Sequence, residues 1–200
     1  MNLFIASELS WREKKVTLLQ ETSFPEEEGT RLTIKTGAAV KLSVHVRVPY
    51  WASRGVTVSI NGKRQEVTAK PSSYLTLDRT WNDGDKIEVA MPMSLHLAPL
   101  PDQPMTQAAM YGPLVLAGQL GSKGLTEDHI YGPLGPDEAR AIAVPALTGS
   151  GDTPDWVEPV KGQALAFQTV VQKQTIDLAP LYKNYDERYT VYWKVNKKSV

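Results

Sequence analysis

With 200 residues, 42% of them hydrophobic and 22% charged, the chain can bury roughly 70% of its unfolded surface and is too apolar for intrinsic disorder. Its 22 Lys and Arg cancel its 22 Asp and Glu, which removes the electrostatic basis for capturing nucleic acid or an anionic membrane surface. The absence of Cys excludes a disulfide framework, a thiolate metal site and a cysteine nucleophile.

Met1 to Ile5 leads into Glu8, Arg12 and Glu13 rather than into the apolar stretch of a signal peptide, and no run of about 18 apolar residues follows. Either the mature protein is cytoplasmic or the targeting signal lies elsewhere; a periplasmic or secreted parent fits equally well. Apolar and polar residues then alternate with period two, the pattern of half-buried strands. The alternation starts at Leu32 and Ile34. It is clearest from Lys41 to Pro49, where Leu42, Val44, Val46 and Val48 alternate with Ser43, His45 and Arg47. It recurs at Val56, Val58 and Ile60, at Leu75 and Leu77, and at Ile87, Val89 and Met91. Asn61-Gly62 suits a type I′ turn because both central residues need positive φ, and it predicts a hairpin from Val56 to Thr68. Asn82-Asp83-Gly84-Asp85 predicts a second tight reversal leading into a strand over Lys86 to Met91.

Pro92, Pro99, Pro101 and Pro104 deprive one segment of backbone donors, so it reads as an extended connection. Two further strands are expected at Gln107 to Tyr111 and at Leu114 to Ala117, the second buried on both faces. A first domain then closes at residue 118, and the Gly- and Pro-rich residues 119–155 read as a linker in which only Asp137 to Ala143 suits a helical turn. Alternation resumes at Leu165, Phe167 and Val171, at Ile176 and Leu178, and at Tyr189, Val191 and Trp193, giving a smaller unit over residues 156–200. If Tyr189 to Trp193 is one strand, Tyr189, Val191 and Trp193 share its inward face. The fold class is therefore all-β, with two antiparallel β-sandwiches of jelly-roll-like build, the second the smaller.

Catalytic signatures are sparse. His45, His96 and His129 have no zinc-motif spacing, and no G-x-S-x-G elbow occurs. Gly118 to Gly124 lacks the spacing of a phosphate loop and reads as linker. Glycoside hydrolysis needs two carboxylates about 5 to 9.5 Å apart. Glu26, Glu27 and Glu28 read instead as a solvated run, and Asp83 and Asp85 as turn residues. Aromatic side chains offer a different chemistry, because their faces stack on sugar rings. Tyr50, Trp51, Trp81, Tyr182, Tyr185, Tyr189, Tyr192 and Trp193 all qualify by type, but packing in the cores of small sandwiches is the favoured account of them. Trp51, Trp81, Tyr185 and Tyr192 are the candidate carbohydrate contacts.

Several phrases resemble a known family when taken in order. Arg47-Val48-Pro49-Tyr50-Trp51-Ala52, Ser59-Ile60-Asn61-Gly62-Lys63, Tyr74-Leu75, Arg79-Thr80-Trp81-Asn82-Asp83-Gly84-Asp85 and Tyr111-Gly112-Pro113-Leu114-Val115 resemble the region after the catalytic barrel in glycoside hydrolase family 127, the β-L-arabinofuranosidases. Leu178 to Tyr182 and Asp186 to Trp193 resemble the close of the same family's C-terminal domain. The resemblance implies a longer parent in which an N-terminal (α/α)6 barrel carries the active site, with a zinc-bound cysteine as nucleophile and two β-sandwiches behind it. Met1 to Ile5 resembles the first strand after that barrel, as in an excised or truncated piece. This chain matches the sandwiches and has no Cys, so no catalytic residue, metal ligand or cofactor carries over. The resulting expectation is a non-catalytic support for the barrel, with the barrel as partner, homo-oligomerisation open, and no nucleic-acid or membrane partner. The alternatives are a carbohydrate-binding module and an independent glycosidase with its own carboxylate pair.

Overall fold

The computed structural model describes residues 1–123, 125 and 143–197, which fold as two compact units, Met1–Ser94 and Leu95–Val200. Strands dominate both. Among the described residues the only helical elements are 3-10 turns at Arg12–Lys14 and Leu181–Lys183.

The first unit contains β1 (Ser7–Trp11), β2 (Val16–Glu21), β3 (Gly29–Thr36), β4 (Val40–Val48), β5 (Thr57–Ile60), β6 (Lys63–Arg64), β7 (Ser73–Trp81) and β8 (Lys86–Ala90). Six of them form an antiparallel sheet in the order β1-β2-β3-β8-β5-β6, while β4 and β7 pair as a two-stranded antiparallel sheet. The period-two pattern accounts for the buried faces. Val16, Leu32, Ile34, Ile87, Val89, Val58 and Ile60 come from the wide sheet, and Val44, Val46, Val48, Leu75, Leu77 and Trp81 from the narrow one. Each large apolar side chain buried this way contributes about 1.5–3 kcal/mol.

Two details differ from expectation. The chain makes its first strand at Ser7–Trp11, whereas Met1 to Ile5 stays outside any strand, although Arg47 donates its backbone N–H to the Met1 carbonyl at 3.0 Å. The Asn61-Gly62 turn is present, with φ of 50° and 76°, but its second arm ends at Arg64 instead of Thr68. Beyond Arg64 the Gln65 N–H still donates to the Val58 carbonyl at 2.8 Å, but Gln65 and Glu66 offer no apolar alternation to bury and the strand goes no further.

The second unit contains β9 (Leu95–Pro99), β10 (Thr106–Tyr111), β11 (Leu114–Gln119), β12 (Leu147–Gly149), β13 (Val157–Pro159), β14 (Phe167–Thr169), β15 (Asp177–Pro180), β16 (Tyr189–Thr190) and β17 (Tyr192–Lys197). They form one hydrogen-bonded sheet in the order β12-β17-β10-β11-β15-β14-β13, with β9 on β10 and β16 on β11. Leu147 at one end of this order and Val157 at the other share one core with Ala109, Leu116, Trp156, Phe167, Ile176, Leu178, Trp193 and Val195. The sheet must therefore curl until its two ends meet over that core.

This topology moves the domain boundary. The units divide at Ser94 and Leu95, not at residue 118, because β10 and β11 bond to β15, β16 and β17 rather than to the first unit's strands. The second unit, expected to be the smaller, is thereby the longer. Its Pro-rich start is not a bare connection. Leu95–Pro99 pairs with β10 alone, and Pro is tolerated on such an edge, where a missing N–H leaves no ladder bond unmade. Gly118, expected to open a linker, lies inside β11. Later in the expected linker, β12 pairs with β17 in parallel, an exception to the all-antiparallel expectation. The helical turn expected over Asp137 to Ala143 lies outside the described residues, save Ala143.

Three further readings change. Leu165 and Val171 take positive φ of 54° and 58° and flank β14 rather than extend it, leaving Val171 73% exposed. Tyr189 to Trp193 is not one strand, because it breaks at Val191 between β16 and β17. The break leaves Tyr189 exposed and Val191 half-buried, while Trp193 and Val195 face the core.

Candidate functional site

The four candidate sugar contacts separate into two pairs. Trp81 is fully buried at the end of β7 and donates its indole N–H to the Leu42 carbonyl at 3.0 Å. Trp51 is also buried, with its ring stacked on Phe24 at a centroid separation of 5.9 Å. Neither presents a face to solvent in this chain, because both fill the core of the first unit. Tyr185 and Tyr192 are exposed, at 80% and 48%, and Tyr182 and Tyr189 are exposed near them in sequence.

The most ordered polar cluster joins two turns of the first unit. Asn61 donates its side-chain amide to Asp85 at 2.8 Å, and its carbonyl oxygen accepts the Lys86 backbone N–H at 2.9 Å. The other Asp85 carboxylate oxygen accepts the Asn82 backbone N–H at 2.8 Å. Asp83 accepts the Thr36 N–H at 2.9 Å, and Gly84 reverses the chain with a φ of 78°. The Asn82 N–H, the Asn61 amide and nearby Arg79 favour the ionised Asp85 carboxylate and hold it below the usual carboxylate range, against an opposing contribution from burial. All of these contacts satisfy the turns themselves, so the cluster is structural.

A titration test follows, because a depressed native value contributes stability that is complete above the unfolded carboxylate value of about 3.9 and is lost as pH falls through the native one. Asp85→Asn is expected to lower the melting temperature at neutral pH, since the charge is lost and the NH2 that replaces one carboxylate oxygen faces a donor, the Asn61 amide or the Asn82 N–H. The gap to wild type should narrow on acidification below about pH 4. A gap independent of pH would show that the carboxylate charge is not what binds the two turns.

Carboxylates also line two open clefts. In a cleft of about 380 Å³ on the first unit, Glu21, Arg31 and Glu88 stand in one cross-strand row on β2, β3 and β8, and Arg31 bonds Glu88 at 3.3 Å. With both side chains about half exposed, this pair contributes no more than about 1 kcal/mol. In the second unit, Asp177 and Glu187 share a cleft of about 490 Å³ with Gln119 and Gln174, and Glu187 accepts the Gly121 N–H at 3.2 Å. Sequence reasoning missed this pair because the two acids are apart in the chain and meet only through the pairing of β15 and β16 with β11. His45 lies on the exposed face of β4 as expected, its Nδ1 3.0 Å from the Thr76 hydroxyl across the ladder. His96 is on β9, and His129 lies outside the described residues. Among the described residues no group of three or more His, Asp or Glu is placed to hold a metal ion, and a thiolate zinc site does not fit a sequence without Cys.

Comparison with known families places both units. Residues 1–93 match the model described as "Beta-L-arabinofuranosidase, GH127 middle domain", and residues 96–195 match a model described as a domain of unknown function. The chain belongs to the GH127 middle-domain family over its first unit. Its second unit belongs to the family of unknown function. The two matches meet where the compact units divide.

Solved structures agree with the GH127 fold. A GH127 β-L-arabinofuranosidase from Geobacillus stearothermophilus T6 superposes with a TM-score of 0.65 at 19% identity, over 98% of this chain and 33% of its own. A GH127 β-arabinofuranosidase gives 0.60 at 19% identity, over 95% of this chain and 33% of its own. A protein titled glycoside hydrolase gives 0.61 at 20% identity, over 94% and 34%. The chain thus spans about a third of the length of the solved relatives. No curated protein matches it.

Proposed function

We propose that this chain is the non-catalytic β-sandwich region of a longer GH127-type glycoside hydrolase, and that its two units brace a helical catalytic barrel. The observation that carries the reading is coverage. Almost the whole chain overlays solved GH127 enzymes while accounting for only a third of their length, and the family model for its first half is named a middle domain. The lack of any Cys supports the same reading, since neither a thiolate nucleophile nor a thiolate zinc ligand is available.

One specific observation favours a second reading as a carbohydrate-binding module. Tyr182, Tyr185, Tyr189 and Tyr192 all expose ring surface on one unit, and exposed aromatic faces stack on sugars. A single preparation separates the readings. The purified chain is expected neither to hydrolyse aryl arabinofuranosides, with or without added zinc, nor to change its intrinsic fluorescence saturably on titration with arabino-oligosaccharides. Turnover abolished by Asp177→Asn or Glu187→Gln would make the chain an enzyme in its own right. Saturable binding lost in Tyr185→Ala would make it a binding module.

A further inference from the structure

The inner face of the first unit's wide sheet runs past the sheet that covers it. Six strands about 4.8 Å apart span roughly 24 Å, whereas β4 and β7 opposite them, with Met1 bonded to β4, span roughly 10 Å. Register identifies the uncovered part. Leu9 pairs with Leu18 and Trp11 with Val16, while Leu18 and Gln20 in turn pair with Ile34 and Leu32. Leu9 and Trp11 therefore stand on the same face as the buried Val16, Leu32 and Ile34. Val16 is 2% exposed, yet one strand further out Leu9 is 55% and Trp11 42% exposed.

The segment before β1 borders this strip. The Gln20 side chain, on the inner face, donates to the Leu3 carbonyl at 3.1 Å, and the Ser7 hydroxyl donates to the Ile5 carbonyl at 3.0 Å. Leu3 and Ile5 are 62% and 59% exposed. A solvated edge strand ordinarily carries charge or Pro against unwanted pairing, and Leu9 and Trp11, which continue the core face onto the edge strand, mark an interaction surface instead.

We infer that this overhanging face, which carries Leu9 and Trp11, is where a helix of the parent's catalytic domain docks. The inference rests on the reading of the chain as part of a longer hydrolase. The occupant is chosen on two grounds. The strip is continuous with the unit's own core, so an apolar partner laid on it completes a second layer; at roughly one to two strands it is about 10 Å wide, the width of one α-helix. The solved GH127 relatives also carry two thirds of their length beyond the part that overlays this chain, which supplies a partner within one polypeptide.

The test has two arms. In the solved Geobacillus stearothermophilus T6 enzyme, the positions that overlay Leu9 and Trp11 are expected to be buried under a helix from the portion with no counterpart here. In the 200-residue chain itself, Leu9→Lys combined with Trp11→Lys is expected to leave the melting temperature within about 2 °C of wild type, as substitutions outside a core do. Aligned positions open to solvent, with other faces of the same unit covered, would overturn this docking face and leave the bracing role standing. A middle region that touches none of the remaining two thirds would overturn both. A melting temperature that collapses in the double variant would make these residues part of the unit's own core. A wild-type dimer that the double variant dissociates in sedimentation equilibrium would make a second copy the occupant. Either result would also overturn the inference.

Discussion

Replacing Trp193 by Ala is expected to destabilise the second unit by about 3–5 kcal/mol, the cost of deleting a large buried aromatic side chain. Trp193 on β17 is fully buried and packs against Trp156 at a centroid separation of 6.1 Å, tilted by 55°. Its backbone pairs with Gln107, itself buried, so the vacated space is lined by side chains that the ladder holds in place and that cannot collapse inward freely. Urea unfolding should show the midpoint falling with an unchanged slope. An equal loss in Tyr192→Ala, whose ring points to solvent, would show that the assignment of faces on β17 is reversed.

Replacing Gly118 by Ala is the second large effect, and it comes from crowding. A Cβ on Gly118 would overlap Cζ2 of Trp193 and lie 2.6 Å from its Cη2. The indole is rigid and fully enclosed, and β11 is held by β15 at Leu178 and by β16 at Thr190, so neither side yields cheaply. Overpacking of this kind costs about 1–3 kcal/mol or more. The decisive measurement is the double variant. With Trp193 already truncated, the new methyl has room, so the two losses should fall well short of adding. Strict additivity would mean that Gly118 matters through its backbone and not through the ring that leans on it.

Long, regularly alternating strands were legible in the sequence, and short ones defined by their partners were not. The run that became Val40–Val48 carries its own evidence in four alternating apolar residues, and Asn61-Gly62 announces its turn through positive φ. Leu147–Gly149 and Val157–Pro159, at three residues each, exist because β17 and β14 lie alongside them, a cause that no local window contains. The domain boundary was misplaced for the same reason. Nothing within Thr106–Gln119 says that its hydrogen bonds go forward to residues 178–194 and back no further than Leu95–Pro99. The candidate site divides similarly. Residue type nominated Trp51 and Trp81 together with Tyr185 and Tyr192, but whether an aromatic ring is core or surface is set by what crosses over it. Asp177 and Glu187 required the sheet to bring them into one cleft.

The break at Val191 sets an order of assembly during synthesis. One run of chain gives β16 to β11 and β17 to β10, entering between the arms of a hairpin that stay joined to each other only near Tyr111 and Leu114. β17, the latest of the described strands in chain order, is therefore interior to its sheet, flanked by β12 and β10. As the chain leaves the ribosome, every partner of the first unit has emerged by Ser94, so that unit can close early. The second must wait for β17 with the β10–β11 hairpin held open, exposing Leu116 and Ala109 until Trp193 arrives to seal them.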